Sequence, residues 1–373
     1  MRIRAILSVV VVLTVALPAP VAAAAAAPTL RTNVVQRGLT VPWDVAFASN
    51  NRMLVTERPG RIRIYAGYRE GARLLHTHSI SSVRAEGEAG VMGIAVGRFA
   101  GRTQVFVCAS RSDEGAWRNQ VLRYRLLRSS RLDFSGYVIR RGMRANSIHN
   151  GCALELGGRG RLYVGMGDAG DTSTAQPRSS RNGKILRVNR DGSRPSTNPF
   201  KGSLVWSRGH RNPQGLAFQP RTNRLYAVEH GPDVHDELNR IVRGGNYGWP
   251  CWTGRATRGP SGSGCRRASY YRAPAWSSGG STLATSGAAF VSGPNWDTWR
   301  GDLLVSTLKE SDVRRLSLRN RGRDASVRST ELNGRFGRLR AMVPGNARRH
   351  AMYLTTSNSS SPGTDQVIRL SAR

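Results

Sequence analysis

The sequence predicts an all-β fold, a six-bladed β-propeller of four-stranded antiparallel blades. Three observations carry that expectation. A two-part strand unit recurs six times along the chain, and no long amphipathic helix pattern interrupts the series. Gly 42 and Pro 17 make up about one residue in six with no collagen period, as many tight turns require. A ring of blades hides its sheet edges and needs only short turns, so it accounts for the repetition. A two-domain β-sandwich does not explain six similar units.

Taken in order, residues 1–27 read as a secretory signal peptide. Arg2 and Arg4 form its charged start, Ala5 to Leu17 its apolar stretch, and Ala22–Ala27 its small-residue cleavage region. The stretch is short for a membrane span and no second one follows, so no integral span is expected. Residues 28–373 are expected to form one propeller domain. Near their start, the segment around Val34–Gln36 is expected to complete the last blade and close the ring.

The first parts of the units are MLVTE from Met53, QVFVCAS from Gln104, RLYVGMGD from Arg161, RLYAVEHG from Arg224, DLLVSTLK from Asp302 and AMYLTTSN from Ala351. Each is followed by an apolar-x-Arg-apolar run: RIRIY, QVLRYRL, KILRVN, ELNRIV, DVRRLSL and QVIRLS. Alternation of apolar and polar residues marks them as strands with one face buried, and the recurrence marks a radial array. Several first parts end in polar groups: Thr56-Glu57-Arg58, Gly167-Asp168, Glu229-His230-Gly231-Pro232 and Leu308-Lys309. Polar ends converging from separate blades point to one shared pocket at a mouth of the central channel.

Among 373 residues, 57 Lys+Arg against 23 Asp+Glu give a formal net charge of +34. Only Lys184, Lys201 and Lys309 are lysines. The balance favours polyanions, anionic cell-envelope glycans among them. No run of five or more Lys/Arg, no basic helix with interleaved aromatics and no recognition motif is present, and export disfavours nucleic acid. The cysteines are Cys108, Cys152, Cys251 and Cys265. An even count in an exported chain favours disulfides. Of three possible pairings, Cys251–Cys265 with Cys108–Cys152 is preferred, the former clipping a Gly/Ser/Arg-rich loop. No CxxC spacing suggests zinc.

His149 stands in Ile148-His149-Asn150-Gly151, just ahead of the strands that deliver Asp168; an imidazole oriented by a carboxylate is a general-base arrangement. Further specific strings are Pro42-Trp43, Val55-Thr56-Glu57-Arg58, Gly209-His210-Arg211-Asn212-Pro213-Gln214-Gly215, Asp236-Glu237-Leu238-Asn239 and Gly245-Asn246-Tyr247-Gly248-Trp249-Pro250. In this order they resemble the soluble quinoprotein glucose and aldose sugar dehydrogenases, the glucose/sorbosone dehydrogenase family. The resemblance runs from about Leu39 to Leu370.

The resemblance implies an exported propeller that uses pyrroloquinoline quinone (PQQ) and Ca²⁺. It would oxidise the C1 hydroxyl of an aldose to a lactone and pass electrons to an external acceptor. His149 matches the general base and Asp168 the carboxylate that orients it. Arg211 and Asn212 match the pair over the reacting end of the quinone, Arg211 placed to stabilise an oxyanion. The carbonyls of Gly231 and Pro232 match the calcium ligands, hard oxygens that suit this ion. Lys309, Arg338 and Arg340 match the cations that hold the cofactor's carboxylates. Glu88 falls where the family often has Gln or Glu at the pocket wall. Lys184, Asp236, Glu237, Asn246 and Trp249 read as architectural, with a second calcium site as a further option at the last four.

The pattern also departs from the family. His149-Asn150-Gly151-Cys152-Ala153 lacks the usual Gly-Arg after the glycine, and Ala341 replaces the Asp usual after Arg-Leu-Arg. Both changes bear on which sugar is taken. The sequence leaves monomer and dimer open. The alternative reading is a non-enzymatic propeller that binds a polyanionic or cell-envelope glycan partner.

Overall fold

The computed structural model describes residues 27–260, 264–345, 350–358 and 362–372. The signal-peptide expectation for 1–27 falls almost wholly outside them. Strand β1 (Leu30–Leu39) comes first in the chain but belongs to the last blade. Blade 1 is β2 (Pro42–Ala48), β3 (Arg52–Glu57), β4 (Arg61–Ala66) and β5 (Leu74–Ser79). Blade 2 is β6 (Val91–Phe99), β7 (Arg102–Asp113), β8 (Ala116–Leu126) and β9 (Leu132–Ile139). Blade 3 is β10 (Gly151–Leu156), β11 (Leu162–Met166), β12 (Lys184–Val188) and β13 (Val205–Arg208). Blade 4 begins with β14 (Pro213–Gln219), β15 (Arg224–Glu229) and β16 (Glu237–Ile241). A small hairpin follows, β17 (Trp252–Thr253) with β18 (Thr257–Arg258), and β19 (Trp276–Ser277) completes the blade. Blade 5 is β20 (Thr285–Phe290), β21 (Leu303–Thr307), β22 (Val313–Arg319) and β23 (Asp324–Glu331). Blade 6 is β24 (Leu339–Pro344), β25 (Met352–Thr356), β26 (Asp365–Ala372) and β1.

The chain is thus an all-β, six-bladed propeller. Its ring closes as expected: β1 runs antiparallel to β26, with Val34 opposite Ile368 and Gln36 opposite Val367. The recurring units are the second and third strands of each blade. The first strands β2, β6, β10, β14, β20 and β24 pack side by side around the axis. Their contacts are close enough to demand glycine. A Cβ on Gly93 would lie 2.3 Å from the carbonyl oxygen of Cys152, and one on Gly287 2.2 Å from the amide of Met342.

Each first strand also slips register against its second strand near its start. The slips fall between Pro42 and Asp44, Val91 and Ile94, Gly151 and Ala153, Pro213 and Gly215, Thr285 and Ala288, and Leu339 and Met342. A bulge turns the extra residue away from the regular alternation. Trp43, Cys152, Gln214 and Arg340 all occupy such positions. Between blades the sheets bury aliphatic and aromatic faces, as where Phe106, Val121, Leu154, Val164 and Leu186 form one cluster. Both preferred disulfides form: Cys108–Cys152 ties β7 to β10 across two blades, and Cys251–Cys265 closes the loop after the Trp249-Pro250 turn.

Candidate active site

The starts of the first strands, the β-turns between second and third strands and the loops between blades meet at one mouth. The segment 146–151 brings His149 there. Asn150 is fully buried and folds this segment: its Oδ1 accepts from the Asn146 amide at 3.1 Å and from Asn119 Nδ2 at 3.0 Å. His149 itself sits in the left-handed region with φ 54°. Such strain in a non-glycine residue persists where surrounding bonds over-determine it.

His149 Nδ1 lies 2.7 Å from Asp168 Oδ1, with side-chain exposures of 15% and 0%. The carboxylate accepts, so Nδ1 carries the proton and Nε2 keeps its lone pair. Asp168 Oδ1 also accepts from the Gly170 amide at 2.9 Å, and Oδ2 accepts from Trp249 Nε1 at 2.8 Å. Trp249, read from sequence as architecture, thus completes the environment of this carboxylate. Its ring faces the Arg211 guanidinium at 5.3 Å.

Arg211 is braced from behind. Its amide donates to Glu229 Oε2 at 3.0 Å, and Glu229 Oε1 accepts from His210 Nδ1 at 3.0 Å and Asn239 Nδ2 at 2.6 Å. Burial pulls the Arg211 guanidinium down from its ordinary pKa, while Asp168, Glu88, Asp233 and Asp236 oppose that pull. Asn212 is fully buried; its Oδ1 accepts from the Gly151 amide at 3.0 Å and its Nδ2 reaches Glu88 at 3.2 and 3.4 Å.

Arg340 is buried, stacked over Trp43 at 3.6 Å and bonded to Gln214 Oε1 at 3.3 Å. Its burial pushes the guanidinium pKa down to about 9, opposed chiefly by Glu88. Arg338 and Lys309 are exposed at the rim. Arg338 Nε donates to the Ser357 carbonyl at 3.1 Å. The Lys309 amide donates to the Leu283 carbonyl at 3.0 Å. Asp236 ties that segment to Gly231: Oδ1 accepts from the Gly231 amide at 3.0 Å and Oδ2 from the amides of Leu283 and Ala284 at 2.6 and 2.7 Å. Lys184 is buried elsewhere, in blade 3, where its ammonium donates to the carbonyls of Thr174, Ala175 and Asn182 at 2.6 to 2.8 Å.

Two further groups belong to the mouth, named in the sequence reading as polar strand ends but given no role there. His230 follows Glu229 and feels Glu88, Asp236, Arg211 and Arg340; burial lowers its pKa. Arg58 holds the Gly87 carbonyl. The Nε atoms of Arg58 and Arg211 and Nε2 of His230 are buried without a hydrogen-bond partner among the described residues. Such orphans carry a cost unless something else satisfies them. The two guanidinium donors among them, in one cationic mouth, fit an anionic ligand. Among the described residues no cluster of three His, Cys, Asp or Glu side chains could hold a metal. No hydrogen bond there ends on the carbonyl of Gly231 or Pro232, so these oxygens suit a hard cation only together with oxygens of a bound ligand. Below Arg340 an axial cavity of about 410 Å³ continues down the ring, lined by Trp43, Asp44, Glu155 and Gln214 among others.

Fold and site together define a six-bladed propeller with an imidazole–carboxylate pair inside an arginine-lined mouth. The chain belongs to the glucose/sorbosone dehydrogenase family, whose model matches residues 39–364. It is 30% identical over 309 residues to the aldose sugar dehydrogenase YliI of Escherichia coli (strain K12), covering 78% of this chain and 81% of that one. The PQQ-bound aldose sugar dehydrogenase of Streptomyces coelicolor is similar in structure, with TM-score 0.75 and 29% identity over 93% of this chain and all of that one. The apo soluble aldose sugar dehydrogenase of Escherichia coli gives TM-score 0.78 and 28% identity over 92% of this chain and all of that one.

Proposed function

We propose that the chain is an exported quinoprotein that oxidises the C1 hydroxyl of aldose sugars to lactones, with PQQ and Ca²⁺ in the mouth. The observation that carries this is the free Nε2 of His149, backed by Asp168 and set among the unpartnered nitrogens of Arg58, Arg211 and His230. Arg340, Arg338 and Lys309 would hold the carboxylates of PQQ, and Glu88 with Asn212 would bound its pocket. The carbonyls of Gly231 and Pro232 would ligate Ca²⁺. When bound, PQQ supplies a two-electron acceptor for the hydride leaving C1.

The chain's own residues do the rest. His149 Nε2 takes the proton of the C1 hydroxyl, and Asp168 stabilises the imidazolium that forms. Arg211 directs its charge at the oxygen where negative charge grows, in a site where burial strengthens that interaction. An external acceptor then withdraws the electrons.

Calcium-loaded apoprotein titrated with PQQ tests the reading. Stoichiometric binding that weakens in Lys309→Ala is expected, with sugar-dependent dye reduction that falls about 10²- to 10⁴-fold in His149→Ala. No binding at micromolar PQQ would favour a non-enzymatic glycan-binding propeller instead. Full activity in His149→Ala would refute the mechanism.

A further inference from the structure

Blade 2 differs at its two ends. Toward the mouth, two exposed arginines find carboxylates: Arg140 pairs with Asp113 and Glu114 at 3.0 Å, and Arg141 with Glu114 at 2.6 Å. At the opposite end, the turns after β6 and β8 carry Arg98, Arg102, Arg125, Arg128 and Arg131, all exposed. Only Arg125 is paired, with Asp133 at 2.7 Å. Among the described residues no ion pair involves the other four. Arg52 of blade 1 joins them, its Nε donating to Ser130 Oγ at 2.8 Å. Arg98, Arg102, Arg125 and Arg128 line a groove of about 560 Å³. Arginines stand at both ends; those at the mouth end share Asp113 and Glu114, whereas four at the opposite end have no ion pair among the described residues.

We infer that this groove binds a linear acidic polysaccharide through its carboxylates. Unpaired guanidinium groups facing one groove focus a positive potential, and their planar forks match carboxylates. A concave groove between two turns takes a single polymer chain better than a flat bilayer. The disulfides Cys108–Cys152 and Cys251–Cys265 belong to an oxidising compartment, where nucleic acid is not the usual polyanion. The groove lies on the face opposite His149, so a docked polymer would leave the mouth open. This assignment does not depend on the chemistry at the mouth.

The test is binding of the mature protein to polygalacturonate across a salt series, with neutral dextran, duplex DNA and phosphatidylglycerol vesicles as competitors. Arg98→Gln with Arg102→Gln, and Arg128→Gln with Arg131→Gln, are expected to weaken binding about tenfold each. The salt slope should drop by about 2, as for lost contacts to a polyelectrolyte. The double change Arg140→Gln with Arg141→Gln removes the same charge at the other end and should weaken binding less than about twofold. Unchanged melting temperatures would show that the variants fold. Equal weakening in all three variants would overturn the site in favour of net charge alone. Tighter binding to DNA or vesicles than to polygalacturonate, or no binding at all, would overturn the partner.

Discussion

Both oxygens of Asp168 are occupied, Oδ1 by His149 and Gly170 and Oδ2 by Trp249. A buried carboxylate that loses one donor loses part of what holds its charge and its orientation. Trp249→Phe keeps a ring near Arg211 but removes the indole N–H. The expected result is a roughly tenfold lower kcat with little change in KM, about 1.4 kcal/mol of transition-state stabilisation. An unchanged kcat with a fall in stability would make Trp249 structural only. The sequence displayed His149 and Asp168 because each stands in a distinctive string. It hid the part played by Trp249, which lies 81 residues from Asp168 and reaches it only when the loop after β16 folds back. The axial acids offer a second residue-scale test. Burial pushes the Glu155 carboxyl from 4.5 up to about 8, with Asp44 adding to the rise, and Asp44 itself up to about 7. Such groups keep their protons in the fold and lose them in the unfolded chain. Stability should therefore fall as pH rises from about 5 to 8, by up to about 1.4 kcal/mol per pH unit for each group. Glu155→Gln should flatten that decline in a pH series of urea melts; a steeper decline would contradict the sign.

At the scale of elements, six strand pairs were legible because the second and third strands are continuous apolar-polar alternations between two neighbours. The first strands were less legible. They are broken by glycine at close approaches such as Gly93 and Gly287, and by the bulges at their starts. Those same irregularities turn Arg340, Gln214 and Trp43 toward one another, so the features that blurred the pattern also build the mouth. The disulfide Cys108–Cys152 stands beside one bulge, its ends 44 positions apart in sequence. It links blade 2 to blade 3 immediately after the His149 segment. Loop-closure entropy alone assigns it about 4 kcal/mol, and measured cases fall at about 2–5. Replacing both cysteines by alanine should lower stability by that amount. It should also lower activity beyond what global unfolding explains, because Cys152 follows Gly151, whose amide holds Asn212. Activity equal to wild type at low temperature would show that the crosslink acts on stability alone.

For the whole molecule, the cationic excess divides into two uses. Inside the mouth, Arg58, Arg211 and Arg340 are held partly or wholly out of water, where burial disfavours their charged forms. That arrangement stores unfavourable energy that a bound polyanion would release. A ligand that binds only the folded ring stabilises it by about 2.7 kcal/mol at a hundredfold excess over its Kd. For a chain of this size the gain corresponds to a rise of about 4 °C in Tm. PQQ with Ca²⁺ should produce that rise in a thermal melt, and a chelator should reverse much of it. Lys309→Ala, at the exposed rim, should reduce the rise without altering the melt of the apoprotein. Polygalacturonate, acting on the groove at the other face, should add its own increment independently if the two sites are uncoupled. A rise with PQQ that survives both chelation and Lys309→Ala would place the cofactor somewhere other than this mouth.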